Sequence, residues 1–185
     1  MNSLDNSILQ RRSAMAFEPK EMSKDSLEIL FEAARWAPSA YNDQPWKFYF
    51  AHRSNPVGFE KLLSLLVSAN REWAQNASVI VISTARTVLS LNGKENFHAM
   101  HDTGIATANL LVMAQQHGFV THVMGGFDRN RAAEVLNFSS NEIAVAAIAV
   151  GFAGDENLLS EANRKRANNP RQRKPLLEVA VEVQK

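Results

Sequence analysis

From Thr103 to Phe119 the chain carries no Asp, Glu, Lys or Arg. Ala106, Leu110, Met113 and Ala114 fall on one face at helical spacing, so the segment reads as the body of a long helix over 96–119. Gly118 is placed to end it. Thr, Asn and Gln interrupt the apolar run, which makes it a poor membrane span. A helix without a charged face requires burial on every side. In a chain of 185 residues that favours burial against a second subunit.

Around this helix the pattern alternates between the two regular periods. Residues 5–12 predict a short helix with Ile8 and Leu9 inward. Ser23 can cap a second helix, with Asp25 near its positive end, a stripe of Leu27, Leu30, Phe31 and Ala34, and Pro38 to stop it. Strands are expected at 46–51, at 78–85 (SVIVISTA, short and β-branched), at 120–126 and at 142–152 (EIAVAAIAVGF). Helices are expected at 59–69 and 129–136, a polar irregular stretch at 155–174, and a last strand in LLEVAVEV, 176–183. This order predicts one α+β domain over 1–185, with a mostly antiparallel central sheet flanked by helices.

Composition narrows function mainly by exclusion. A formal charge of +1 argues against a protein that coats nucleic acid by bulk charge, and the absence of cysteine removes thiolate metal sites and thiol nucleophiles. The amino-terminal segment lacks the apolar core of a signal peptide, so a soluble, cytoplasmic protein is expected. No G-x-G-x-x-G follows a strand, and there is neither a Walker-type loop nor a G-x-S-x-G elbow. His98, His101 and Asp102 have helical spacing but no further ligand set, so no metal is expected.

Four constellations remain. Arg11, Arg12 and Ser13 could grip a phosphate, or could simply be cations at a helix end. The stretch 164–174 holds Arg164, Lys165, Arg166, Arg171, Arg173 and Lys174 with no acid. It reads as a solvated loop, a thin nucleic-acid contact, or the completion of that phosphate site through Arg171 and Arg173, which share a side when extended. Between 35 and 50, in RWAPSAYNDQPWKFYF, Pro38, Ser39, Asn42, Gln44 and Pro45 crowd one corner. Asn and Gln amides can read the edge of a heterocycle, although Asx-type turn capping explains part of the pattern. Gly125-Gly126 at a strand end lets a flat ligand approach the backbone, or forms a plain turn capped by Asp128.

With these residues in view, the chain resembles the nitroreductase family of FMN-dependent oxidoreductases. The resemblance rests on RRSAMAF (11–17), AARWAPSAYNDQPWKF (33–48), Asn70 in SANREW, DTGIATANLLVMAQQHGF (102–119), HVMGGFD (122–128) and RQRKPLLEV (171–179). It implies an intertwined homodimer with FMN at the interface and NADH or NADPH as reductant. It further implies a ping-pong transfer to a nitroaromatic, quinone or similar acceptor, with no protein residue named as catalytic. By position, Arg11, Arg12 and Ser13 would hold the phosphate with Arg171 and Arg173. Pro38 and Ser39 would approach from the partner, with Asn42 and Gln44 at the same corner. Asn70 would bond the pyrimidine edge, and Gly125 and Gly126 would line the ring near N5. The strand at 179–183 would add to the partner's sheet. Met15 stands where the family often has Arg or Lys, and Gly125 where some members have Glu. Competing readings are a dehalogenase or dehydrogenase of the same fold, or a flavin-binding module without turnover.

Overall fold

The strand Glu142–Ala153 (β5) is the hub of the sheet in the computed structural model, which describes residues 4–183. It pairs antiparallel with Val79–Arg86 (β3), from Val79 opposite Val150 to Arg86 opposite Glu142. β3 pairs antiparallel in turn with Trp46–His52 (β2), Trp46 facing Ala85. The other edge of β5 pairs antiparallel with Val120–Met124 (β4), so that Ala147 sits between Ile82 of β3 and Met124 of β4. A two-residue strand, Phe17–Glu18 (β1), closes on Ala153 and Phe152. All the strand pairs named are antiparallel, in keeping with the mostly antiparallel sheet that the order of elements predicts.

Both faces of this sheet are covered, which is why its central strands read as unbroken apolar runs rather than alternating ones. Side chains one apart point to opposite faces. Val79, Val81, Ile148 and Val150 pack beneath the helices Lys24–Arg35 (α2) and Ala99–Gln116 (α5). Ile80, Ile82, Ala147 and Ala149 pack with Phe59, Leu62 and Leu63 of Pro56–Leu63 (α3), Trp73 of Ser68–Ala74 (α4) and Ala132 of Arg129–Val135 (α6). Met15 belongs to this second core at 4% exposure, so an apolar side chain there fills a packed position. Ser23 caps α2 through its hydroxyl oxygen, which accepts the Ser26 N–H, and Asp128 caps α6 through a carboxylate oxygen, which accepts the Arg131 N–H.

The long helix ends as its glycine dictates. Gly118 takes a φ of 75°, the Gly118 N–H donates to Gln115 O at 3.2 Å, and the Phe119 N–H reaches Ala114 O at 2.9 Å. Its burial is one-sided in a single chain, however. Asp102, Thr103, Ala106, Leu110 and Ala114 are buried, whereas Met100, Gly104 and Ala108 lie exposed on the other face.

Other departures have local causes. The expected helix over 59–69 is split into α3 and α4. Leu62, Leu63, Leu65 and Leu66 are all buried at a spacing one helical face could hold, but the Val67 N–H pairs with Gly126 O rather than continuing the helix. The chain turns there instead, and Leu66 bridges to Phe127. In the first helix, Asn6–Gln10 (α1), Ser7 is buried while Ile8 and Leu9 are exposed, the reverse of the expected facing. The polar stretch contains a helix at Glu161–Ala167 (α7). The tail is not a strand of this sheet: Leu176–Val179 (α8) forms a single turn, and Val181 and Val183 follow exposed and outside any regular element. The alternation there has no partner edge within one chain to pair with. Among the described residues no helix is long and apolar enough to cross a membrane.

Candidate cofactor site

β4 joins two groups of candidate residues. At its start, Ser13 bridges to Thr121 in parallel, and the Ala14 N–H donates to Thr121 O at 3.0 Å. This fixes the path of Arg11 to Ala14 along the sheet edge. His122 Nδ1–H donates to Ala14 O at 2.8 Å. Burial, with the charges of Arg166 and Arg11, lowers the His122 pKa against the pull of that carbonyl.

The carboxy-terminal arm returns to the same place. Arg171 donates from Nη1 to Arg11 O at 2.8 Å and from Nη2 to Leu9 O at 2.6 Å. Arg12 Nη2 donates to Ala167 O at 2.7 Å. Among the described residues Arg173 bonds only its neighbour, Nη1 to Gln172 O at 2.8 Å. Arg11 is half-buried, and burial followed by the charges of Arg171 and Arg173 lowers its pKa. Among the described residues no carboxylate forms an ion pair with Arg11, Arg12, Arg171 or Arg173. A half-buried guanidinium among like charges without an acid is a site that calls for an anion.

At the far end of β4, Met124 is buried and the chain opens into Gly125-Gly126. Asn70 Nδ2 donates to Gly126 O at 3.0 Å, and the Val67 N–H reaches the same oxygen at 3.2 Å. A Cβ on Gly126 would lie 2.8 Å from Asn70 Nδ2 and 3.0 Å from Val67 Cγ2, so the glycine is what lets α4 approach. Gly125 is exposed, and a Cβ there would meet nothing within 4 Å. Open backbone of this kind suits a flat ligand. Thr121 and Gly125 are about 13 Å apart along an extended strand, enough to separate a phosphate from a ring.

The corner is built separately, and under strain. Tyr41, Asn42 and Gln44 have φ of 55°, 53° and 49°, each an unfavourable left-handed conformation that costs on the order of 1 kcal/mol. Surrounding bonds hold it. Ser39 Oγ accepts the Gln44 N–H at 3.0 Å, and Gln44 Nε2 donates to Asn42 O at 3.0 Å. Asp102 Oδ2 accepts the Ala40 N–H at 2.9 Å. Asp43 accepts from Arg86 Nη2 at 2.9 Å, the Ser90 N–H at 2.8 Å and Asn96 Nδ2 at 3.2 Å. Burial opposes the charged form of Asp43, but the bonds from Arg86 and Ser90 outweigh it and its pKa is lowered. Arg86 escapes a reading of the sequence, and Asp43 shows there only as a position inside the corner motif. Asp102 stands out in the sequence beside His98 and His101 and at the head of the 102–119 motif, but not as the brace of this corner.

The structure therefore brings together Arg11, Arg12, Ser13, Arg171 and Arg173 at one end of β4, and Asn70, Gly125 and Gly126 at the other. It does not bring Pro38, Ser39, Asn42 or Gln44 to either group. They precede β2, and β5 and β3 lie between β2 and β4. Three strand spacings amount to about 14 Å. Nor do the histidines gather a metal: His101 Nδ1 lies 2.9 Å from Asp102 Oδ1, and among the described residues no group of three or more His, Asp or Glu could hold an ion.

The chain matches the Nitroreductase family over residues 8–152. The Bacillus subtilis protein YdgI, which bears the name of an NAD(P)H nitroreductase, is 26% identical across 81% of this chain and 88% of its own. A relative from Archaeoglobus fulgidus, named for NADH dehydrogenase and NAD(P)H nitroreductase, is 26% identical across 84% of this chain and 88% of its own. A crystal structure described as an oxidoreductase containing FMN aligns with a TM-score of 0.92 at 32% identity, over 98% of this chain and 92% of that one. With the family match running from α1 to the end of β5 and this fold in common, the chain belongs to the nitroreductase family.

Proposed function

We propose that this chain is an FMN-dependent NAD(P)H oxidoreductase that works as a homodimer and reduces a nitroaromatic, quinone or similar electron-poor acceptor. The observation that carries the reading is the pairing of an acid-free guanidinium cluster with an open glycine strip at opposite ends of one strand. The donor set fits a phosphorylated flat ring. Arg11 and Arg173, supported by Arg12, Ser13 and Arg171, would hold the phosphate. Asn70, held against Gly126 O, would present its amide to the pyrimidine edge, and Gly125 and Gly126 would leave room for the ring.

When bound, FMN would supply the hydride chemistry between NAD(P)H and the acceptor, and a ping-pong cycle is the expected kinetic form. The chain's own residues orient the ring, neutralise the phosphate and limit water; none needs to act as nucleophile or general base. Backbone N–H groups beside the ring and cations beside its phosphate would favour added negative charge.

Three features support a second copy. The corner with Pro38, Ser39, Asn42 and Gln44 lies remote from the cations and glycines of its own chain. The Met100–Gly104–Ala108 face of α5 is exposed, and so is the arm from Leu176 to Val183. In a homodimer the corner would meet the ring bound by the partner, α5 would be covered, and residues 179–183 would extend the partner's sheet.

A visible spectrum of the purified protein, followed by anaerobic titration with NADH and with NADPH, tests the reading. A flavin band bleached by either nucleotide is expected. Colourless protein that takes up no added FMN overturns the proposal, and a flavin that neither nucleotide reduces overturns the NAD(P)H step.

A further inference from the structure

The four arginines at the phosphate cluster are bonded in two different ways. Arg12, from the amino-terminal segment, donates to the carbonyl of Ala167, the last residue of α7. Arg171, from the carboxy-terminal arm, donates to the carbonyls of Leu9 and Arg11 at the end of α1. Each end of the chain thus closes the last turn of a helix from the other end. Carbonyls at a helix C-terminus have no intrahelical partner and carry partial negative charge, so a guanidinium there satisfies both needs. Arg11 and Arg173 have no such task. Arg173 bonds only the adjacent Gln172 carbonyl, and no bond from the Arg11 side chain occurs among the described residues.

We infer that the cluster divides its labour: Arg12 and Arg171 are reciprocal straps that position the site, while Arg11 and Arg173 are the cations offered to the anion. This deepens the proposed function and rests on it for the identity of the anion, but the strap is a property of the empty protein. A guanidinium can span two carbonyls with its fork, whereas an ammonium is a single point charge. Lysine should therefore replace Arg173 far better than it replaces Arg171. The stability effects also differ. Removing either Arg171 or Arg173 relieves repulsion on Arg11, but only the loss of Arg171 also breaks two bonds across the cluster.

The test measures flavin-stripped protein by thermal unfolding, and the affinities of FMN and of riboflavin, which lacks the phosphate, by flavin fluorescence. R173Q and R11Q are expected to leave the melting temperature of the stripped protein unchanged or higher. Each should weaken FMN roughly tenfold or more while riboflavin affinity stays the same. R171Q and R12Q are expected to lower that melting temperature by about 2–4 °C, and R171K should not restore it, whereas R173K should keep most of the FMN affinity. A stripped R171Q protein that melts with the parent, or an R171K protein that matches the parent, overturns the division. If R171Q does not fold, R171K and R12K carry the same comparison. A parent that binds no FMN overturns the function reading alone, because the melting comparison still decides whether the straps exist.

Discussion

Asp102, in the first turn of α5, accepts the backbone N–H of Ala40 at 2.9 Å and so ties the strained corner to the longest helix. The carboxylate is buried, and three residues beside it hold left-handed backbone that they would not choose alone. Asp102→Ala leaves that N–H without its partner and is expected to cost about 1–3 kcal/mol of stability, read by denaturant unfolding. If the corner serves the partner's ring, turnover should fall further than stability does, and crystals of the variant should show residues 39–44 relaxed.

Gly125 and Gly126 should respond differently to one methyl group. Gly126→Ala places a Cβ 2.8 Å from Asn70 Nδ2 and 3.0 Å from Val67 Cγ2, so the Asn70 amide must swing away from Gly126 O and the Val67 side chain must give. A loss of about 1–3 kcal/mol in unfolding free energy is expected. Gly125→Ala meets nothing within 4 Å and should leave stability unchanged while weakening flavin binding, because the methyl group enters the open strip. Equal stability losses in the two variants would show that the strip is not open.

The buried imidazole of His122 sets an acid limit on the stripped protein. Its folded pKa is lowered from 6.5 by burial and by Arg166 and Arg11, while the unfolded chain titrates near the ordinary value. Between those two values the unfolded state binds more protons, so stability is full above about pH 6.5 and falls as the pH drops through the window, by at most about 1.4 kcal/mol per pH unit. His122→Gln should flatten that slope in denaturant titrations between pH 7 and pH 5. An unchanged slope would assign the acid limit to other groups.

The exposed face of α5 gives the test of assembly. Ala108→Arg adds a charge where a single chain has open surface, so each subunit should fold. If two copies meet there, sedimentation should find monomers, and the protein should lose its flavin along with its partner. A parent-like dimer would place the interface elsewhere.

Much of the fold was legible because burial leaves local marks. The β-branched run of β3, the alanine-rich run of β5, the Ser23 and Asp128 caps and the Gly118 stop each record their surroundings in adjacent residues. The split between α3 and α4 was harder to see. The paired leucines 62–63 and 65–66 satisfy helical spacing until the Leu66–Phe127 bridge forces a turn. The tail alternates like a strand, but alternation cannot say whose edge it will meet. The candidate site was legible as a set of residue types and illegible as an arrangement. Nothing near Asp43 announces Arg86, Ser90 and Asn96 as its partners, and the distance from Gln44 to Asn70 depends on sheet order, which no short segment encodes.

The crossed arginine straps carry a consequence for biosynthesis. A ribosome makes residues 171–173 more than a hundred and fifty peptide bonds after residues 11–13, yet neither segment is closed without the other. A nascent chain lacking residues 171–173 would expose the last turn of α1 and offer an incomplete grip to any anion. Colour would then be acquired only once those residues are made, and products terminated before them would be pale as well as short.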